Sequence, residues 1–173
     1  MPKTRWPYLV VLPLLIIAGV AWSWSCGTHT TVLLVRHADR NGKLDELTAA
    51  GVARAAVLAQ VAAKSGIDAI VSSSALRTQH TAAPVADATG LTPVLLEPND
   101  IDAFVAAVDD HRGETILIVG HSNTVPQIIA ALGGPALPEI DEQEFDNLFV
   151  LERCRCRRGT APLTNLQYGT LSP

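Results

Sequence analysis

Ten residues limit this chain more than any others: Thr31-Val32-Leu33-Leu34-Val35-Arg36-His37-Ala38-Asp39-Arg40, where a run of Val and Leu stops at an Arg-His pair. A continuous apolar run of about five such residues is what a strand covered on both faces of a parallel sheet looks like. The polar pair then falls just past the strand's carboxyl end, where open α/β sheets bind ligands. The pattern recurs in Thr115-Ile116-Leu117-Ile118-Val119, which stops at Gly120-His121-Ser122-Asn123-Thr124. Between them, Ile67 to Ser72 reads as a strand entering a serine-rich turn, Ser72-Ser73-Ser74, that leads to Arg77. Arg36, His37, Arg77 and His121 are thereby predicted to converge at one edge of one sheet.

The intervening segments read as helices. Thr48 is a plausible N-cap for a helix to about Lys64, with Val52, Ala55, Leu58 and Val61 or Ala62 as its buried stripe and Gly66 as its stop. Ser74 can cap a second helix, from Ala75 towards Ala88, that carries Arg77 in its first turns. An arginine there opposes the helix dipole unless an anion shares the site with it and with the free backbone N–H groups. Thr92 to Leu96 is a third strand, Ile101 to about His111 an amphipathic helix, and Thr124 to Leu132 another helix with Pro126 near its start. Asn147 to Glu152 and Leu166 to Tyr168 read as late strands. Strands alternating with helices at this spacing predict an α/β fold, a three-layer sandwich with a mostly parallel central sheet.

Residues 1–26 are of another kind. Lys3 and Arg5 precede the apolar run Leu9 to Ala21, and no further charge appears until Arg36. This is a signal peptide or signal anchor, with residues 27–173 as one exported domain. Trp6 and Tyr8 at one end and Trp22 and Trp24 at the other bound a helix roughly 27 Å long, close to the hydrocarbon thickness. Retention as an anchor, cleavage after Ala21 or Ser23 or before Cys26, and lipidation of Cys26 all remain open. The formal net charge is −4, and with the first two charged residues both basic the rest is more acidic still, which argues against a general nucleic-acid surface. The run Arg153, Arg155, Arg157, Arg158 reads as a solvated strand face or hairpin, with a site for anionic lipid or polyphosphate as the alternative. Three cysteines are too few for a disulfide framework, and Cys154 and Cys156 read as inert thiols.

Leu34-Val35-Arg36-His37-Ala38, Ser72-Ser73-Ser74-Ala75-Leu76-Arg77-Thr78-Gln79-His80-Thr81-Ala82 and Val119-Gly120-His121-Ser122-Asn123 together resemble the three signatures of the histidine phosphatase superfamily, the phosphoglycerate-mutase-like proteins. The resemblance runs over about residues 30 to 170. It implies a phosphoric monoester hydrolase of the histidine acid phosphatase type, with neither metal nor other cofactor, in which His37 is transiently phosphorylated. Arg36, Arg77 and His121 would bind the phosphate. The chemistry of such a site agrees, since phosphoryl transfer is catalysed chiefly by positioning and by stabilising charge on three oxygens. His29, His80 and His111 are given no role.

Members of this superfamily usually supply a carboxylic acid to the leaving oxygen. The candidates here are Glu97, Asp100 and Asp102, with Asp100 preferred. Asp39, Arg40 and Asn41, and Asn123 after the second histidine, are expected to line the substrate rim, and Glu144-Phe145-Asp146 resembles a late motif of short exported members. The expected substrate is a phosphorylated small molecule or phosphoprotein, and the expected location the bacterial cell envelope, anchored in the inner membrane facing the periplasm or secreted to it. A phosphohistidine or phosphoprotein phosphatase, and an inactive phosphate-binding module tethered to the membrane, are the competing readings.

Overall fold

The structure is a computed structural model and describes residues 29–42, 44–154 and 159–172. The targeting segment at 1–26, the boundary at residue 27, Cys156 and the arginines at 155, 157 and 158 lie outside the described residues. No helix among the described residues is long and apolar enough to cross a membrane.

Strands β1 (His29–Arg36), β2 (Ala69–Ser73), β3 (Val94–Leu96), β4 (Thr115–Gly120), β5 (Asn147–Cys154) and β6 (Leu163–Gln167) form one sheet in the order β3-β2-β4-β1-β5-β6. The first four are mutually parallel, and β5 runs antiparallel to both β1 and β6. Helices α1 (Ala49–Ala62), α2 (Leu76–Thr89), α3 (Ile101–Asp110) and α4 (Thr124–Ala131) make the crossovers.

Strand periodicity divides the core in two. Val32 and Leu34 point to one face, where Phe104 and Val108 of α3 and Val125, Ile128 and Ile129 of α4 cover them. Leu33 and Val35 point to the other, under Leu58, Ala59 and Ala62 of α1 and Ala82 and Val85 of α2. Each face needs an apolar cover because alternate side chains leave opposite sides of a strand. The result is the predicted three-layer sandwich.

Two details differ from expectation. The buried stripe of α1 is Gly51, Arg54, Ala55, Leu58, Ala59 and Ala62, whereas Val52 is 58% exposed. The helix is rotated so that Gly51 meets the backbone of Asp39, where a Cβ would overlap the carbonyl oxygen. The third strand is only Val94–Leu96, a short exposed edge, the form in which sheets discourage further pairing.

Insertion of β4 between β2 and β1 is what assembles the site. Arg36 lies in register with Gly120, and the His37 N–H donates to the Gly120 carbonyl at 2.9 Å. His37 and His121 are therefore the next residues on neighbouring parallel strands. On the other side Ser72 is in register with Val119, which brings Ser73 alongside His121.

Candidate active site

Arg36 and His37 end β1, His121 follows β4, and Arg77 stands in the first turn of α2. Arg36 is 3%, His37 2% and His121 6% exposed. The two imidazole centroids are 5.6 Å apart, and Arg77 Nη2 lies 3.1 Å from His121 Nδ1. The structure thus brings together all four residues singled out by the strand-end pattern.

His37 Nδ1 lies 2.9 Å from the Ala38 carbonyl oxygen. A carbonyl only accepts, so Nδ1 carries the proton and Nε2 holds the free lone pair. The Ala38 N–H donates to Thr81 Oγ1, which donates to the Arg77 carbonyl, tying the turn after β1 to α2. Burial, and then the charges of Arg36 and Arg77 against the opposing Ala38 hydrogen bond, push the His37 pKa down to about 3. The imidazole is neutral at any physiological pH.

Arg36 is held by the loop that precedes β5. Its Nη1 donates to the carbonyls of Asp141 (2.6 Å) and Glu144 (3.0 Å), and its guanidinium carbon sits 4.2 Å from the centroid of the Phe145 ring. The same ring is 5.9 Å from that of His37. The Nε atoms of Arg36 and Arg77 are buried without an acceptor among the described residues. Donors in that state suit an incoming anion, since an unmet buried donor is costly. In Glu144-Phe145-Asp146, the late motif of the resemblance, the Glu144 carbonyl and the Phe145 ring join the Asp141 carbonyl in setting the orientation of Arg36.

The anion at the start of α2 is part of the chain itself. Asp45 accepts from the Leu76 and Arg77 N–H groups and pairs with Arg77 Nη1 at 2.5 Å. Burial pushes its carboxyl up, but the Leu76 N–H and the side chain and N–H of Arg77 together outweigh it and hold the carboxyl below the usual range. Sequence reasoning gives Asp45 no role, although the arginine at a helix N-terminus, which asks for an anion beside it, is the signal for it. Ser74, the expected cap, does not cap α2: its N-cap residue is Ala75, with no side-chain hydrogen bond.

The expected acid has a task within its own helix. Asp100 is the N-cap of α3, and its carboxylate accepts from the Ala103 N–H at 3.0 Å, so its side chain serves that helix. Glu97, exposed just after β3, makes no hydrogen bond or ion pair to Arg36, His37, Arg77 or His121, and nor does Asp102. Of the rim residues, Asp39 is engaged elsewhere, in an ion pair at 2.6 Å with buried Arg54. Arg40 is half-buried, joined to Leu47 by a β-bridge, and close enough for its charge to bear on both Arg36 and His121. Asn41 is exposed, and Asn123 is partly exposed at the start of α4.

A mostly parallel sheet that presents a buried, neutral histidine among arginines at the carboxyl ends of its parallel strands defines an α/β protein built to receive an anion. The sequence model of the histidine phosphatase superfamily (branch 1) matches residues 32–99, a stretch that carries Arg36, His37 and Arg77 and stops short of His121. Among solved structures, the protein histidine phosphatase SixA in complex with tungstate superposes with a TM-score of 0.62 at 19% identity, over 79% of this chain and 96% of that one. An α-ribazole-5'-P phosphatase assignment from Escherichia coli gives 0.60 at 18%, over 80% and 96%. A SixA-type phosphohistidine phosphatase assignment from Nakamurella gives 0.58 at 23%, over 82% and 98%. At such identities the likeness is one of fold. No curated protein sequence matches the chain.

Proposed function

We propose that the chain is a phosphatase that works through a phosphohistidine on Nε2 of His37. The observation that carries this is the Nδ1 hydrogen bond to Ala38, which leaves a neutral, buried Nε2 lone pair facing two arginines. In the first step that lone pair forms the N–P bond while the bond from phosphorus to the leaving group breaks, its electrons departing with the leaving group. Arg36 and Arg77 take the charge on the equatorial oxygens, with Arg40 near the rim. In the second step water attacks phosphorus, the N–P bond breaks, phosphate leaves and His37 is restored.

The substrate reading favours leaving groups that need little protonation. Asp100 is used as a cap and Asp45 is held ionised by Arg77, so a phosphohistidine or acyl phosphate fits this site better than an alkyl phosphomonoester. The charged and apolar pattern of residues 1–26 supports a location across or outside a bacterial membrane.

The test is hydrolysis of p-nitrophenyl phosphate and of a phosphohistidine peptide by the full chain in EDTA, beside His37→Ala. Turnover that vanishes in the variant, with an acid-labile, alkali-stable phosphoryl group trapped on His37, supports the proposal. Tight vanadate binding with no turnover of either substrate would make the protein a binding module instead.

A further inference from the structure

His121 makes two hydrogen bonds that together define its protonation. Arg77 Nη2, 3.1 Å from Nδ1, can only donate, so Nδ1 is an unprotonated acceptor. Nε2 then carries the proton and donates to Ser73 Oγ at 2.8 Å. Ser73 passes its own hydrogen to Thr78 Oγ1 at 2.7 Å, and Thr78 donates to the Ala75 carbonyl at 2.7 Å. Every hydrogen in this chain has an acceptor, Thr78 having the Ser73 carbonyl within reach at 2.9 Å as well, and Ser73 and Thr78 are completely buried. Nε2 is thereby committed to the interior, and Nδ1 is the nitrogen on the side of Arg77.

We propose that Ser73 selects which nitrogen of His121 meets the bound phosphoryl group, and that anion binding here therefore takes up one proton onto His121 Nδ1. The inference rests on the phosphatase reading for the identity of the anion. Nδ1 has no hydrogen to offer an oxygen in the resting tautomer, and the ring cannot turn Nε2 outward without breaking the bond to Ser73. An oxygen that enters between Arg77 and His121 accepts from Nη2, and it accepts from Nδ1 only after solvent has supplied a proton there. The imidazolium then donates from both nitrogens, to the anion and to Ser73.

The charges facing His121 make that proton conditional on the anion. Arg77 from α2, Arg36 from the end of β1, Arg40 from the turn after it and the ring of His37 all oppose a positive imidazole, and Asp45 alone among these groups favours it. Burial, and then Arg77 and Arg40, push the His121 pKa down to about 4 without an anion. A dianion among these groups offsets their net positive charge and sets an acceptor beside Nδ1, so the proton arrives with it. Ser73 acts here as a positioning residue.

Tungstate is a suitable probe, being a non-hydrolysable dianion near neutrality. Its binding to the full chain is followed by calorimetry in buffers of different ionisation enthalpy, from about pH 6.5 to 7.5. Uptake of one proton weakens the Kd by up to about tenfold per pH unit in the wild type. His37→Gln retains the uptake, whereas His121→Gln loses it. Ser73→Ala lowers it towards zero, because Nε2–H becomes free to turn to the anion, and Ser73→Thr restores it. Tungstate binding with no proton uptake, or uptake lost with His37 and kept without His121, overturns the inference and leaves the phosphatase reading intact. Failure to bind tungstate at all overturns both.

Discussion

At the scale of single residues, one carboxylate can be in only one place, and that decides between roles the sequence leaves level. Asp100 follows an edge strand at the ligand-binding end of the sheet, which made it a reasonable acid, but its side chain closes the first turn of α3. Asp100→Ala is therefore expected to lower stability by about 1 kcal/mol, the usual worth of such a cap, while kcat/KM stays within twofold of wild type. A fall in kcat/KM beyond tenfold would return the acid role to Asp100. Phe145 carries the opposite prediction. Its ring backs both Arg36 and His37, so Phe145→Ala is expected to cut kcat/KM by about tenfold, in line with a cation–π contact of roughly 1 kcal/mol and a looser guanidinium, with unfolding monitored separately. The strand-end residues were legible because a buried apolar run that stops at a charge has few explanations. Phe145, Asp45 and Ser73 were not given those roles, because each acts through a neighbour brought close only by folding.

Among the elements, α1 shows what periodicity leaves out. A 3.6-residue stripe through Val52, Ala55 and Leu58 is apolar, yet the helix turns Val52 outward and buries Arg54. Arg54 reaches the carbonyls of Tyr168 and Thr170 and the carboxylate of Asp39. Three acceptors from two distant segments outweigh one valine, and nothing in a local window of sequence reports them. The rotation depends on Gly51, whose missing Cβ lets the helix lie against the Asp39 carbonyl. Gly51→Ala is expected to destabilise the fold by about 1–3 kcal/mol, the range for overpacking, although alanine is the better helix former. Because Asp39 is two residues from His37, the same change should also lower activity in the fraction that remains folded. Thermal unfolding beside a kcat measurement checks both. A more stable Gly51→Ala variant would mean that the contact with Asp39 is readily relieved.

For the molecule as a whole, the site fixes how stability depends on pH. His37 and His121 are buried and neutral, with pKa values pushed down to about 3 and about 4, whereas in the unfolded chain each titrates near the ordinary value of about 6.5. Between those limits the unfolded state binds more protons than the folded one, so stability rises with pH there. It is fully present above about pH 6.5 and is lost as the pH falls towards 3, by an amount on the order of a few kcal/mol for the two together. Asp45, whose carboxyl is held below its usual range, acts in the same direction at the acid end of that window. The double variant His37→Gln, His121→Gln is expected to lose most of the slope between about pH 6.5 and 4 and to be more stable than the wild type near pH 4. Urea unfolding of both proteins across that range reads it directly. Equal slopes would mean that the two imidazoles titrate alike in the folded and unfolded chain, and the depressed pKa values of His37 and His121 would fall.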